Sequence, residues 1–333
     1  MCPIKVLVTG GSGFIGSHLV EYLLEKGYHV TSLDNYYSGN INNMQSFIDN
    51  KNFEIIEHDI IDPITIDVNE IYHLACPASP PYYQKSPTYT LKTCFIGTMN
   101  ILELAKKTGS RIVFASSSEV YGDPLVHPQT EKYFGNVNTI GNRSCYDEGK
   151  RIAETLCMDY HKSYGVDVRI ARIFNTYGPK MLANDGRVIP NFIISCLKGE
   201  KMPIYGDGKQ TRSFCYISDT VEALYKLMNL EVKNVEMSPI NIGNPVEISI
   251  IKLAETINEL NGYETPLEFR SIPSDDPKKR KPDISKATEI LGWTPKIDFK
   301  LGLRETIIDF TRRLKEDNTN YSVVHQEEAK LVY

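Results

Sequence analysis

Short β-branched runs alternate with helically patterned stretches through the first half of this chain. IKVLV, YHVTSL, FEII, IYHLA, RIVFA and VRIARI read as strands, and residues 14–26, 86–108 and 145–164 between them carry apolar positions at helical spacing. Such alternation predicts right-handed βαβ units on a parallel sheet with helices on both faces. After about residue 175 the regularity breaks. Proline and glycine punctuate PKMLANDGRVIP, KGEKMPIYGDGKQ and PSDDPKKRKPD, with helical patterns near 219–229, 249–261 and 284–291. The expected architecture is α/β, a Rossmann-type doubly wound parallel sheet with a smaller, discontinuous substrate-binding lobe. By this division residues 1–178, together with about 216–245, form the sheet domain. Residues 179–215 and 246–315 form the lobe, and 316–333 a polar, frayed tail.

Composition narrows the partners. A 333-residue chain that is 41% hydrophobic can bury one large core or a core plus a lobe. The net charge of −5 is spread over mixed signs, so no broad basic face points to nucleic acid or an anionic membrane. No run approaches the roughly 18 apolar residues of a membrane span. The seven cysteines (Cys2, Cys76, Cys94, Cys145, Cys157, Cys196, Cys215) are scattered and form no C-x-x-C pair, which reads as reduced thiols in a cytoplasmic protein with no metal framework. Cys145 reads as a small buried hydrophobe.

Anion binding must therefore be local, and the first strand supplies a place for it. IKVLV runs into TGGSGFIGSHLVEYLLEKG, in which Gly10, Gly13 and Gly16 allow a tight turn and a close backbone approach to a pyrophosphate at a helix start. Asp34 ends the second strand about 20 residues later, placed to accept from a ribose 2′-hydroxyl and to repel a 2′-phosphate, which favours NAD over NADP. Ligands lie at the carboxyl edge of such sheets, so Asp59 and Ile60 are expected to flank adenine, and Leu74 and Ala75 a ribose.

Within SCYDEGKRIAETLCMDY, Tyr146 and Lys150 are i and i+4 on one helical face, while Ile152, Leu156 and Tyr160 form an apolar stripe. A tyrosine needs its pKa lowered by about 3 units to act as a base near neutrality, and a neighbouring ammonium is the kind of group that does this. Just upstream, RIVFASSSEVYG ends a strand in three serines and Glu119, at the sheet edge that faces substrate.

With the glycine loop, Asp34 and the Tyr/Lys pair in place, the chain resembles the extended short-chain dehydrogenase/reductase family. HLACPASPPYYQKSPTYTLKTCFIGTMN, SSSEVYGDP, CYDEGKR, RIFNTYGP, NDGRVIPNF, YGDGKQTRSF and DDPKKRKPDI together are similar to its UDP-glucuronate decarboxylases, from residue 4 to about 312. Ser117 stands where that group often has Thr, and Cys76 where it usually has Ser. The resemblance implies Tyr146 as acid/base and Lys150 as holder of the tyrosine and the nicotinamide ribose. It places Ser117 and Ser118 near the C4 oxygen and the sugar, and Glu119 near C5. Phe14, Ile15, Asn35, Ala115, Thr176 and Arg187 join the cofactor contacts. Asn175 falls near the sugar and diphosphate, and Asn191, Tyr205, Arg212 and Arg280 where the family binds nucleotide or phosphate. UDP-glucuronate and UDP-xylose are the implied substrate and product, with a homodimer through helices 86–108 and 145–164. Tyr82, Tyr83 and Lys92 are left without a role. A 4-epimerase, a 4,6-dehydratase and a dinucleotide-sensing regulator are the competing readings. Dehydratases usually carry Asp-Glu where this chain has Ser118-Glu119.

Overall fold

The computed structural model describes residues 3–231, 238–271 and 279–330, with side chains described to Glu316. Cys2 and the first four residues of DDPKKRKPDI lie outside that set. Six parallel strands arise where the sequence pattern puts them: β1 Lys5–Thr9, β2 His29–Asp34, β3 Phe53–Glu57, β4 Glu70–His73, β5 Arg111–Ser117 and β6 Val168–Ile173. Their order is β6-β5-β4-β1-β2-β3, every pair parallel. After β3 the chain crosses back over β1 to start β4, so a crevice opens at the carboxyl ends of β1 and β4, where such sheets bind ligands.

Alternation within each strand explains why helices cover both faces. Val6, Val8, Tyr72 and Val113 pack against Leu19, Val20 and Leu23 of α1 (Phe14–Glu25) on one side. Leu7, Ile71, Ile112 and Phe114 pack against another helical layer on the other. That second layer departs from the single helix expected at 86–108. It consists of α2 Pro80–Lys85, α3 Pro87–Lys92, a π-helical turn Thr93–Gly97 and α4 Thr98–Thr108. Pro87 starts a new helix at its first turn, where the missing N–H costs nothing. Gly97 lies so close to the loop after β3 that a Cβ there would sit 2.5 Å from Ile60 Cδ1. Behind it runs α5, Ser144–Tyr164, closed by Gly165 in the left-handed region, φ 70°. The buried positions of α5 are Tyr146, Asp147, Gly149, Lys150, Ala153 and Cys157, while Ile152 of the expected stripe is exposed.

Beyond β6 come β7 Thr176–Tyr177, α6 Val188–Lys198, β8 Met202–Tyr205, β9 Thr211–Ser213, β10 Cys215–Tyr216 and α7 Ile217–Met228. They are followed by β11 Ile240–Ile242, β12 Glu247–Ser249, α8 Ile250–Asn261, β13 Leu267–Arg270, α9 Ser285–Leu291 and α10 Phe299–Lys330. Strand β11 joins the sheet beside β6 as its seventh member. Three residues are too few to carry a period of their own, and the pattern did not mark it. A third apolar cluster joins Phe192 and Ile193 of α6, Leu253 and Ile257 of α8, and Leu303 and Phe310 of α10. The backbone of α10 stays helical through Lys330, where polar composition pointed to a frayed end; helical hydrogen bonds are internal and need no apolar face. Among the described residues no helix is long and apolar enough to cross a membrane.

Candidate active site

One cleft of about 710 Å³ runs from the glycine loop across the ends of β4, β5 and β6 to β8 and β9. Every residue singled out from the sequence as cofactor-binding, catalytic or substrate-binding lines it.

At one end the backbone itself is the binding surface. A Cβ on Gly16 would lie 2.0 Å from Gly10 O, and one on Gly10, at φ 71°, 2.9 Å from Ala75 Cα. Gly13 caps α1 with no side-chain hydrogen bond, and no acidic residue stands in the first turn, so the positive end of the helix dipole is left for an anion. Asp34 ends β2 almost buried, and its two oxygens accept from Ser12 N at 3.0 Å and Tyr36 N at 2.9 Å, which fixes the carboxylate at the cleft wall. Asn35 donates to Asp59 Oδ2 at 2.9 Å, and the Tyr89 hydroxyl donates to the same oxygen at 2.6 Å. Tyr89, on α3, ties the ends of β2 and β3 to the helical layer, a contact with no local sequence signal. This dinucleotide-shaped end fits NAD. The close glycine approach leaves room for a pyrophosphate, the open helix start faces it, and a fixed carboxylate stands where a 2′-phosphate would be repelled.

At the switch point Thr9 Oγ1 meets His73 Nδ1 at 2.8 Å and accepts from Ala75 N at 3.2 Å, and His73 Nε2 meets Thr98 Oγ1 at 3.1 Å. Burial, then the nearby Lys150 charge, pushes His73 down to about 3, so it is neutral structure rather than a proton carrier. Lys150 is buried and donates to Ala115 O at 2.8 Å; its Nζ is 5.8 Å from the Tyr146 ring centre. The Tyr146 ring stacks on Tyr83 at 5.3 Å and 12°. Sequence reasoning left Tyr83 without a role; it forms the floor under the tyrosine.

The expected downward pull on Tyr146 is not what the protein alone supplies. Burial first, then Cys76 and Glu119, push its pKa well up, while the Ser117 hydroxyl works the other way. Desolvation outweighs an ammonium that is engaged with Ala115 O. The resting group is a phenol.

Glu119 carries the largest departure from expectation. It follows β5 in a 3₁₀ turn Ser118–Tyr121 that Ser117 caps by accepting from Glu119 N at 3.2 Å. One carboxylate oxygen is paired with Arg280 Nη1 and the other with Arg143 Nη2 at 2.8 Å. Arg280 is 3% exposed; its Nη1 also reaches Ser118 Oγ at 3.3 Å and its Nη2 donates to Gly122 O at 2.8 Å. Both terminal nitrogens of its fork are committed to the sheet edge, because a buried guanidinium requires a countercharge and Glu119 is the one within reach. Burial would raise Glu119, but the two arginines overcome it and bring it to about 2. Asp147, next to Tyr146, goes the other way: burial and then Glu119 raise it to about 7, against Arg143 and Arg280. The buried Nε atoms of Arg143 and Arg280 and Oδ1 of Asp147 have no hydrogen-bond partner, so the cluster keeps polar atoms for a ligand or water. Arg143 was missed from sequence. Its placement one helical turn before Asp147 is the signal that could have found it.

The other substrate-side residues are spread along the far wall. Arg187 forks onto Asp185, with Nη2 to Oδ2 at 2.8 Å; burial would lower its pKa, but that carboxylate outweighs burial and leaves it raised. Asn191 donates to Gly186 O at 3.1 Å. Asn175 lies between β6 and β7, with its carbonyl accepting from Cys215 N at 2.9 Å. Thr176 Oγ1 bonds Phe174 O at 3.2 Å and Thr220 Oγ1 at 3.1 Å. Arg212 on β9 donates to Thr211 O at 2.9 Å, and Tyr205 ends β8 at 38% exposure.

Comparison with known proteins agrees with this geometry. Residues 7–306 match the model of the GDP-mannose 4,6 dehydratase family. UDP-glucuronic acid decarboxylase 6 of Arabidopsis thaliana is 54% identical over 312 residues, 93% of this chain and 90% of that protein. UDP-glucuronic acid decarboxylase 1 of Xenopus tropicalis is 50% identical over 327 residues, 98% of this chain and 77% of the relative. Among solved structures, UDP-glucuronic acid 4-epimerase from Bacillus cereus in complex with UDP-glucuronic acid and NAD superposes with a TM-score of 0.83 at 29% identity. That match covers 93% of this chain and all of the epimerase.

Proposed function

This chain belongs to the UDP-glucuronic acid decarboxylases of the extended short-chain dehydrogenase/reductase family, and from that premise we propose how its cleft works. The reaction is the NAD-dependent conversion of UDP-glucuronate to UDP-xylose and CO2. The observation that carries the residue assignment is the meeting, at one sheet edge, of Tyr146, Ser117 and an ionised Glu119 held between two arginines.

Gly10, Gly13, Phe14, Ile15 and Gly16 hold the pyrophosphate of NAD and Asp34 its adenosine ribose, with Asn35, Asp59 and Ile60 on the adenine side. Leu74, Ala75, Ala115, Lys150, Thr176 and Arg187 line the nicotinamide side. When bound, NAD+ would supply the hydride acceptor for oxidation at C4 and the hydride for the later reduction there. Tyr146 takes the proton of the C4 hydroxyl as a phenolate, the form that the Lys150 ammonium and the positive charge of bound NAD+ would favour over the resting phenol, with Ser117 beside it. The product is a β-keto acid, whose carboxylate is lost because the electrons left behind delocalise into the C4 carbonyl. Burial keeps Tyr146 in its phenol form at this stage, so it donates to the enolate oxygen where negative charge develops. It then gives that proton to the C4 oxygen on re-reduction.

Glu119 has a specific use in this scheme. An arginine clamped on the sugar carboxylate would stabilise the ground state more than departing CO2, which opposes catalysis. With Glu119 between them, Arg143 and Arg280 are occupied. Held as an anion, Glu119 is not itself the acid at C5; a water it binds delivers that proton. Asn175, Asn191, Tyr205 and Arg212 hold the nucleotide and diphosphate. Ser118 positions Arg280.

The finer reading is a cytoplasmic homodimer. Supporting the dimer, Leu91 and Phe95 of the 86–108 segment and Ile152 of α5 are exposed. Product analysis tests the function: UDP-glucuronate should give CO2 and a pentose nucleotide with no added nicotinamide nucleotide. UDP-galacturonate with the carboxylate retained would make the protein a 4-epimerase instead.

A further inference from the structure

The wall of the cleft holds a pair of thiols that the decarboxylation scheme does not use. Cys76, in the loop after β4, lines the cleft and is part-exposed; Cys94, in the π-helical turn, is buried. Their sulfurs are 3.3 Å apart. Cys145, the other cysteine near Tyr146, points its thiol to Tyr83 O at 3.5 Å. The two sulfurs of the pair are chemically unequal. A hydrogen bond from the Cys94 thiol, against burial and helped by the Lys150 charge, brings Cys76 down to about 7, while the same bond and burial push Cys94 up. A part-exposed thiolate beside a protonated thiol is the arrangement of an attacking and a resolving cysteine.

We propose that Cys76 and Cys94 are an oxidisable dithiol that a hydroperoxide converts into a disulfide, disarming the site. The Cys76 thiolate attacks the outer peroxide oxygen, the O–O bond breaks, an alcohol leaves after taking up a proton, and Cys76 becomes a sulfenic acid. The Cys94 sulfur then attacks the Cys76 sulfur, the S–O bond breaks and water departs. In sum, two thiols lose two protons and two electrons, and the hydroperoxide is reduced to alcohol and water.

The consequence for activity follows from what the pair touches. A disulfide is about 2.05 Å long, so the sulfurs must close by about 1 Å. Cys76 directly follows Ala75 on the nicotinamide side of the cleft. Cys94 is wedged against α5, where a Cβ on Gly149 would lie 2.9 Å from its sulfur, and Gly149 adjoins Lys150. Closing the pair therefore pulls on the two segments that carry Lys150 and the Leu74–Ala75 wall. A displacement of about 1 Å at a reacting centre costs up to about 10²-fold in rate.

The test is to treat purified, NAD-loaded enzyme with hydrogen peroxide, alkylate the remaining thiols, digest and map the peptides, with turnover of UDP-glucuronate followed in parallel. The expected result is a peptide pair joined through Cys76 and Cys94, two hydrogens lighter than the reduced pair, with turnover down about 10²-fold and restored by dithiothreitol. In Cys94→Ala the joined peptide should vanish and dimedone should trap a sulfenic acid on Cys76. No joined peptide in the wild type, Cys76 joined to Cys145 instead, or a joined peptide with unchanged turnover would each overturn the proposal. The peptide map is read whatever sugar the enzyme acts on, so its failure is distinct from failure of the substrate assignment.

Discussion

At the scale of single residues, the proposed scheme turns on the charges around Glu119. The sequence placed a carboxylate at the end of β5, but its partners Arg143 and Arg280 are 24 and 161 residues away and only the fold brings them to it. Substituting Glu119→Gln keeps an acceptor but removes the countercharge, leaving both arginines free to bind the sugar carboxylate. The expected outcome is single-turnover CO2 release slowed at least about 100-fold, with KM for UDP-glucuronate unchanged or lower. A fall in affinity with normal CO2 release would remove the role assigned here. Asp147 gives a pH signature. Its pKa rises to about 7 in the folded protein, so between the ordinary carboxylate range and about 7 the native state binds more protons than the unfolded one. Stability from this group is full at low pH and is lost as pH rises through about 7. Urea midpoints measured across that window should show Asp147→Asn losing part of the wild-type decline, whereas an unchanged slope would place the titration elsewhere.

Elements show where sequence reading succeeds. The glycine loop, β2 and α5 were legible because each couples a period to a chemical marker: Gly10, Gly13 and Gly16 at a helix start, Asp34 at a strand end, Tyr146 and Lys150 one turn apart. The π-helical turn, the break at Pro87 and the three-residue β11 were not, because each depends on tertiary contact, such as Gly97 against Ile60. The Ile152, Leu156 and Tyr160 stripe misled in part: Gly149, Ala153 and Cys157 form the buried face, since small residues let α5 approach the sheet and α3 closely. Asp34 is fixed at the end of β2 by two backbone N–H groups, and our proposal assigns the cofactor choice to it. Asp34→Ala should bring NADP affinity toward that for NAD, read by titrating both into stripped protein; an unchanged ratio would move the ribose contact.

Across the whole molecule, a sheet with both faces covered and a third apolar cluster flank the cleft, and the covering helices leave Leu91, Phe95 and Ile152 in solvent. A charge placed on that surface should split a dimer without touching the cleft. Phe95→Glu with Ile152→Glu is expected to run as a monomer by light scattering, against a dimeric wild type; equal masses would place the interface elsewhere. The central claim is that one hydride leaves C4 and comes back to it within a single site. The direct test is to convert UDP-glucuronate deuterated at C4 and locate the label in the product by NMR. The account predicts UDP-xylose with deuterium kept at C4, a solvent-derived hydrogen at C5, and no free reduced nicotinamide nucleotide. Deuterium lost from C4, or reduced nucleotide accumulating in step with substrate consumed, would contradict it.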